Sequence, residues 1–143
     1  MSSSTVLSLQ SAQKIIDTSL TKGHELKLKP LTVVVLDTSG AIKACAREDN
    51  ATSLRPDIAM GKASGALSMG VSSRALGEMS QARPQFFSAL VATSQGQMIP
   101  AAGGVLIRSG DLVIGAVGIT GDTSDNDEAC AIAGIEAAGF QAG

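Results

Sequence analysis

The chain has 143 residues, a formal net charge of −2 and a sequence pI of about 5.3. Its hydrophobic content of 44% is enough for one core, so residues 1–143 are predicted to form a single domain whose polar residues 1–7 are loose. Without a run of lysine or arginine and with only 2% aromatic residues, nucleic-acid binding is not expected. No leader or membrane segment is recognisable, which predicts a cytoplasmic protein.

The two cysteines and the single histidine do not form a metal-binding pattern. Cys45 and Cys130 are too far apart for a zinc or iron–sulfur spacing, and only His24 could assist them. We therefore predict no metal site and place His24 at the surface. Free cysteine is among the most buried residue types, which favours two buried thiols over a disulfide.

A helix and a hairpin are predicted for the first third of the chain. Apolar residues recur at helical spacing from Leu9, Ser8 is a plausible cap, and the helix ends within residues 22–28. Residues 31–37 are typical of a strand buried on both faces. Residues 41–47 follow a turn and alternate apolar with polar side chains, so they are predicted to be the return strand of a hairpin.

The central helix is predicted within residues 53–70. Pro56 suits its first turn, and Asp57 complements the positive end of the helix dipole. Small or apolar residues form one narrow stripe, which predicts close packing on the sheet: Ala59, Ala63, Ala66, Leu67 and Gly70.

Glycine and proline divide the rest of the chain. A short helix at residues 73–81 precedes Pro84 and a loop that holds two of the three phenylalanines. Residues 96–104 are predicted to be a loop, and residues 105–119 a second hairpin that turns at positions 109–110.

A last helix is predicted to follow the second hairpin. Ser124 or Asp125 can cap it, and it runs through Ala138. The resulting order of helix, hairpin, helices, hairpin and helix predicts an α+β domain with a central antiparallel β-sheet flanked by α-helices. Flat faces of small residues favour a homo-oligomer.

Three basic residues are candidates for a ligand site. Arg47 ends the second strand and Arg55 opens the central helix, so both are predicted at the end of the sheet where that helix starts. Together with Lys62 they suit a carboxylate-bearing or other anionic ligand.

Each of these basic residues also has a simpler interpretation. Lys62 can be a solvated lysine on the outer helix face. The arginines can form surface salt bridges with the carboxylates that neighbour them in the sequence, which are Glu48, Asp49 and Asp57.

Backbone and carboxylate groups complete the candidate site. Gly103 and Gly104 precede a strand and offer N–H groups to an oxygen-bearing ligand, although an ordinary tight turn explains them equally well. Asp127 or Glu128 could act as a general base if its pKa were raised, whereas the simpler role is in the first turn of the last helix. The glycines of residues 115–121 fall inside a strand and do not form a dinucleotide loop.

The ordered motifs VVVLDTSG, AREDNA, S-x₅-A-x₂-KA, a glycine pair before a strand, and GAVGITG with a later DE pair resemble the GlcG/HbpS-like family, which includes the C-terminal domain of PduO-type proteins. The resemblance covers about residues 8–140. The matching positions are Asp37, Gly40, Arg47, Asp49, Ala51, Lys62, Ala63, Gly103, Gly104, Gly115, Gly118, Gly121, Asp127 and Glu128.

This resemblance implies a profilin-like α+β shape, assembly into dimers or larger oligomers, and haem as a possible cofactor. No axial haem ligand is transferred, because His24 is the only imidazole and the cysteines lie in a strand and a helix interior. The chain has GGVLI where the family has GGVPI, has Asn50 where the family has glycine, and carries an insertion-like segment at 83–100. We therefore expect a remodelled pocket wall.

The first functional hypothesis is a small-ligand-binding protein of the GlcG/HbpS type. Its ligand is haem or, preferably, a small anionic metabolite, held by Arg47, Arg55, Lys62 and the loop of Gly103 and Gly104. A purely structural role, with the small-residue faces serving oligomerisation, is also open.

The alternative is a cofactor-independent enzyme that acts on a small carboxylate-bearing intermediate. In it Lys62 or Arg47 orients the anion, and Glu128 or Asp127 moves a proton. Under either hypothesis the expected partners are a small anionic ligand and further copies of the chain.

Overall fold

The computed structural model describes residues 6–143, which form five helices and five strands. In chain order these elements are α1 Leu9–Glu25, β1 Thr32–Asp37, β2 Ile42–Arg47, α2 Arg55–Met69, α3 Ser73–Ala82, α4 Pro84–Thr93, β3 Gly104–Ser109, β4 Leu112–Thr120, α5 Ser124–Ala137 and β5 Gln141–Ala142.

The strands form one sheet in the order β2-β1-β4-β3-β5, and every neighbouring pair is antiparallel. Helices pack on both of its faces, so the predicted α+β class is confirmed. Both predicted hairpins are present. The short strand β5, which the sequence analysis missed, extends the sheet beside β3.

Two apolar layers sandwich the sheet. Alternate residues of β1 point to opposite sides: Val33 and Val35 pack with α1 and α5, whereas Val34 packs with α2. The α2 layer is built from small side chains, because Ala59, Ala63 and Ala66 are all fully buried. This confirms the predicted stripe, although Gly70 lies at its end as the left-handed C-cap rather than inside the helix.

The first helix begins where the sequence indicated. The Ser8 Oγ accepts a hydrogen bond from the Ser11 backbone N–H at 3.0 Å, and the helix continues through the buried Gly23. The predicted looseness of residues 1–7 lies mostly outside the described residues. Leu7, which is described, is only 1% exposed and belongs to the core that α1 and α5 share.

The segment after Pro84 is helical, so the predicted loop with two phenylalanines is wrong. Pro84 stands at the start of α4, where a missing N–H is tolerated. Phe87 is buried with Leu76 and Met98, while Phe86 stays partly exposed under the Arg83 guanidinium. Proline therefore starts a helix here instead of opening a loop.

The last helix has a different cap from the two predicted. Thr123 is the N-cap, and its Oγ1 accepts a hydrogen bond from the Asn126 backbone N–H at 3.2 Å. Ser124 and Asp125 instead form the first turn of α5.

The two cysteines have separate environments. Both are free thiols; Cys130 is buried as predicted, and burial raises its pKa to about 11. Cys45 is exposed on β2, so its predicted burial is wrong. Along residues 6–143, none of the helices has the length and apolarity needed to cross a membrane.

Glycines in β3 and β4 allow α2 to lie directly on the sheet. A Cβ atom at Gly118 would overlap the Ala59 carbonyl oxygen, and one at Gly104 would overlap the Lys62 carbonyl oxygen. The small residues of α2 and of these two strands therefore fix how closely the helix approaches the sheet.

We expect Gly118→Ala to lower the free energy of unfolding by about 3 kcal/mol, because α2 must move away from the sheet. Chemical denaturation measures the change. The matched control is Gly96→Ala, whose added Cβ meets no atom within 4 Å and whose positive φ of 80° alone costs about 1 kcal/mol. Equal losses in the two variants would contradict this account of the packing.

Candidate functional site

Lys62 is buried in the centre of the molecule. Its Nζ donates hydrogen bonds to the Ile119 carbonyl oxygen at 2.9 Å and to the Asp127 Oδ2 at 3.3 Å. The Lys62 side chain is 3% exposed and the Asp127 side chain 1%. The interpretation of Lys62 as a solvated surface lysine is therefore wrong.

Burial acts on both members of this ion pair. Desolvation lowers the pKa of Lys62 and raises the pKa of Asp127, and the attraction between the two groups opposes both shifts. Asp127 also accepts a hydrogen bond from the Asp122 backbone N–H at 3.0 Å. Its carboxylate is thus fixed from two sides, in a place where a single charge would be unstable.

The predicted glycine pair lies against this lysine, but its role differs from the one expected. Gly103 and Gly104 are buried, and the Gly104 N–H donates to the Ser73 Oγ at 2.7 Å. A side chain at Gly103 would stand 2.9 Å from the Lys62 Nζ. The Gly104 N–H is therefore not an exposed donor, and the two glycines make room for Lys62.

Glu128 points away from its neighbour Asp127. Both of its carboxylate oxygens accept hydrogen bonds from the Arg74 Nε at 3.2 Å, and Asp125 also pairs with Arg74. These carboxylates raise the pKa of Arg74 further. Arg74, which the sequence analysis missed, lines an open cleft of about 700 Å³ between α3, residues 100–102 and the start of α5.

Arg47 and Arg55 both bind neutral oxygen atoms. The Arg47 Nη1 donates to the Ala51 carbonyl oxygen at 2.6 Å, and the Arg55 Nη1 donates to the Thr120 Oγ1 at 3.0 Å. Across the described part of the chain, the ion pairs closer than 4.0 Å involve other basic residues. The salt bridges offered as the simpler interpretation of these arginines are absent there.

The sheet places Arg47 in a row with two threonines. Thr32 on β1 is directly opposite Arg47 on one side and Thr120 on the other, so the three residues lie in register on neighbouring strands. Val33, the next residue in β1, packs with α1 and α5. Because successive side chains of a strand point to opposite faces, Thr32 and the residues paired with it lie on the α2 face. We call these three residues and Arg55 the arginine–threonine row.

One atom of the arginine–threonine row is unusual. Thr32 is 1% exposed, and its Oγ1 is buried without a hydrogen-bond partner among residues 6–143. Thr120 is equally buried, but its hydroxyl oxygen accepts from Arg55. Neither threonine was a candidate from the sequence, because only the pairing of β1 with both neighbours brings them beside Arg47.

The N-terminus of α2 adds positive potential at this position. Its N-cap is Leu54, which has no side chain able to accept a hydrogen bond, so the first turn has no side-chain cap. Asp57 in that turn offsets part of the helix dipole. Arg55 also lies near enough to Lys62 to lower the lysine pKa by repulsion.

His24 belongs to a different surface. It is largely exposed, and its Nε2 lies 2.6 Å from the Glu48 Oε2, while the Glu48 Oε1 accepts from the Leu31 N–H. An open groove of about 510 Å³ joins His24 to Arg47 and Glu48. In the described residues, no group of three or more histidine, cysteine or carboxylate side chains is placed to hold a metal ion.

The single histidine and the buried cysteine are poorly placed to bind haem iron. This iron requires an axial donor beside a broad apolar slot. His24, the one imidazole, is bound to a carboxylate in a groove whose other residues include Arg47 and Asp49. The Cys130 thiol is enclosed in the core, and no donor of these types lines the 700 Å³ cleft.

Comparison with known proteins identifies the family. A model of the family described as "Haem degrading protein HbpS-like" matches residues 7–136. The chain belongs to the HbpS-like family. The resemblance stated from the motifs is therefore confirmed, while a comparison with functionally curated proteins finds no match.

Several solved structures share this architecture. The PduOC:haem complex superposes with a TM-score of 0.85 at 22% identity, covering 96% of this chain and 97% of that one. The structure of Klebsiella pneumoniae protein ORFY superposes with a TM-score of 0.85 at 26% identity, covering 93% of this chain and 90% of that one. A double mutant of Streptomyces reticuli HbpS superposes with a TM-score of 0.78 at 23% identity, covering 95% of this chain and 89% of that one.

Removing either partner of the Lys62–Asp127 pair should make stability depend on pH, and the direction should be opposite in the two single variants. Each single variant is expected to lose about 3–5 kcal/mol, because one charge stays buried alone. In Lys62→Met the Asp127 pKa rises further, so the free energy of unfolding falls as pH increases from 3.8 towards the folded-state pKa. In Asp127→Asn the Lys62 pKa falls further, so stability increases with pH from the folded-state pKa up to 10.5.

Denaturant titrations at a series of pH values measure both slopes. The matched control is the double variant Lys62→Met with Asp127→Leu, which removes both charges and should show neither slope. If the two single variants changed with pH in the same direction, the pair would not be an isolated buried couple.

Proposed function

We propose that the chain is a small-ligand-binding protein whose ligand is a small anion held between Arg47 and Arg55. The observation that carries this proposal is that both guanidinium groups bind only neutral oxygen atoms in the described chain, although they lie at the same end of the sheet. Arginine is well suited to planar oxyanions because its donors form a fixed fork.

The exchange of partners favours an anion. Hydrogen bonds from arginine to a carboxylate or phosphate are about twice as strong as hydrogen bonds between neutral groups. A bound oxyanion replaces the Ala51 carbonyl oxygen as the partner of Arg47, and it also meets the uncapped first turn of α2. The charge of the ligand is thus balanced by two side chains and a helix terminus.

Lys62 and the glycine pair support this site from behind. The Lys62 Nζ binds the carbonyl oxygen of Ile119, which immediately precedes Thr120 in β4. Gly103 and Gly104 allow the lysine to reach that position. In this proposal they hold the wall that carries Thr120, and the arginines contact the ligand.

Two binding measurements test the proposal. Isothermal titration with acetate, succinate and inorganic phosphate is expected to give saturable binding of at least one anion, and Arg55→Ala is expected to weaken that binding at least tenfold, because a charge-assisted hydrogen bond contributes about 1.5–3 kcal/mol. Arg47→Ala should act in the same direction. The matched control is Arg83→Ala, which removes the same charge from the surface beside Phe86 and should leave the affinity unchanged.

A hemin titration supplies the competing outcome. The family description and the PduOC:haem complex make haem the other ligand to consider, and its propionates could also reach the arginines. Saturable hemin binding with a shifted Soret band, lost in His24→Ala and retained in Arg55→Ala, would overturn the small-anion proposal. Equal weakening of anion binding in Arg83→Ala and Arg55→Ala would also contradict it.

A second candidate is a cofactor-independent enzyme that moves a proton on a small carboxylate-bearing intermediate. The observation in its favour is the buried Lys62–Asp127 pair, in which desolvation brings the two pKa values towards each other. Asp127 lies one helical turn behind Ser124 of the 700 Å³ cleft, and Gly103 follows Ala102 of the same cleft. Glu128 faces Arg74 and would serve at the cleft surface.

This second candidate predicts exchange of carbon-bound hydrogen. A bound carboxylate with an acidic C–H, such as pyruvate, should exchange with deuterium oxide faster in the presence of the protein, as followed by NMR. Asp127→Asn should remove the acceleration, and Asp125→Asn, a matched change at the exposed rim, should not. Unaccelerated exchange by the wild-type protein across pH 5–9 would exclude this chemistry for the probe.

We also propose that the chain assembles into a homo-oligomer. Strand β2 is an edge of the sheet, and Ile42 and Cys45 on it are exposed. An edge strand with free backbone groups is a common place for chains to pair.

A further inference from the structure

The Thr32 hydroxyl has no role in the anion site proposed above. Its Oγ1 has no hydrogen-bond partner in the described chain although the residue is 1% exposed. A buried hydroxyl without a partner lowers stability by about 1–3 kcal/mol. A valine has nearly the same shape and would avoid that cost, and the three residues that follow in β1 are valines.

The position of Thr32 connects this hydroxyl to the arginines. Thr32 lies between Arg47 and Thr120 in register, and the Arg55 guanidinium binds the Thr120 hydroxyl. Directly paired residues on one face of an antiparallel sheet have Cβ atoms about 4.5–5.5 Å apart. The register therefore places Thr32 in the sheet between Arg47 and the threonine that Arg55 binds.

We infer that Thr32 is a specificity-determining residue, whose hydroxyl binds a second oxygen of the ligand next to its anionic group. This inference rests on the proposed anion site and adds the class of ligand: a small anion that carries a hydroxyl or carbonyl oxygen on the carbon beside the charged group. Thr32 donates to that oxygen or accepts from it, since a threonine hydroxyl does both.

Entry of such a ligand requires one local change. The Arg47 side chain, opposite Thr32, is tied to the Ala51 carbonyl oxygen by a single hydrogen bond from Nη1. When the anion takes over that donor, Arg47 no longer bridges β2 to the segment before α2. The Thr32 hydroxyl, which has no partner among residues 6–143, then gains one in the complex.

The cost in the free protein and the gain in the complex make the inference testable with one substitution. Thr32→Val keeps the shape of the side chain and removes the hydroxyl. The midpoint of urea denaturation of the ligand-free variant is expected to be higher than that of the wild type, because the unpaired hydroxyl is gone. The contrasting variant is Thr120→Val, which deprives Arg55 of its acceptor and is expected to lower the midpoint.

The ligand arm uses lactate and propionate, which differ by one hydroxyl beside the carboxylate. Wild-type protein is expected to bind lactate about five- to tenfold more tightly than propionate in isothermal titration, because one additional hydrogen bond changes the affinity by about this factor. Thr32→Val is expected to bind both equally, at the affinity of the wild type for propionate. Pyruvate, with a carbonyl in place of the hydroxyl, should behave as lactate does.

The outcomes separate this inference from the proposed function. If wild-type protein binds both acids and Thr32→Val retains the preference for lactate, the role of Thr32 is wrong and the anion site stands. If the wild type binds none of these acids and none of acetate, succinate and phosphate, or if Arg55→Ala leaves the affinity of a bound anion unchanged, the anion site itself is wrong. A lower urea midpoint for ligand-free Thr32→Val would overturn the inference by itself, because the hydroxyl would then be bonded within the fold.

Discussion

The ion pair between Lys62 and Asp127 links helices that pack on opposite faces of the sheet. Lys62 belongs to α2 and Asp127 to α5, and the lysine also binds the Ile119 carbonyl oxygen of β4. Such a link is possible only where the space beside the strand is not filled by a side chain. Gly103 meets this requirement, since any larger residue there would collide with the lysine and with Ile119. The placement of α2, α5 and the ends of β3 and β4 is therefore coupled through one buried charge pair.

A buried ion pair of this kind contributes more to arrangement than to net stability, because desolvation opposes the attraction between the charges. Its consequence lies in what it leaves to the neighbouring residues. The Lys62 charge is balanced by Asp127, whereas the two arginines at the start of α2 and the end of β2 have no carboxylate partner in the described chain. In the proposed function the arginines therefore contact the ligand, and the lysine has a positioning role.

Local patterns were sufficient to predict the hairpins, the central helix and the overall class, because strand alternation, turn residues and Pro56 act over a few positions. They failed at α4, where a proline that can open a loop begins a helix instead. Lys62 illustrates a different limit. Helical spacing placed it correctly beside small residues, yet its partner Asp127 is 65 positions further along the chain, and burial depends on that contact.

The arginine–threonine row shows the same limit more strongly. Arg47 and Arg55 were candidates from their positions at element ends, whereas Thr32 and Thr120 acquire meaning only from the register of three strands. The distant members of a sheet row carry no common signal in a single sequence. Family motifs supplied the order of landmarks over about residues 8–140, but they did not identify the hydroxyl that lacks a partner among the described residues.

The register of these strands has a further consequence for folding. Because side chains alternate between the faces of a strand, a shift of β1 by one residue would place Val33 where Thr32 now stands and would turn the hydroxyl towards the opposite layer. A ligand bound across the row would then favour only the correctly paired sheet and would stabilise it by mass action. The proposed anion would in this way act as a folding template for the three strands, in addition to being the bound ligand.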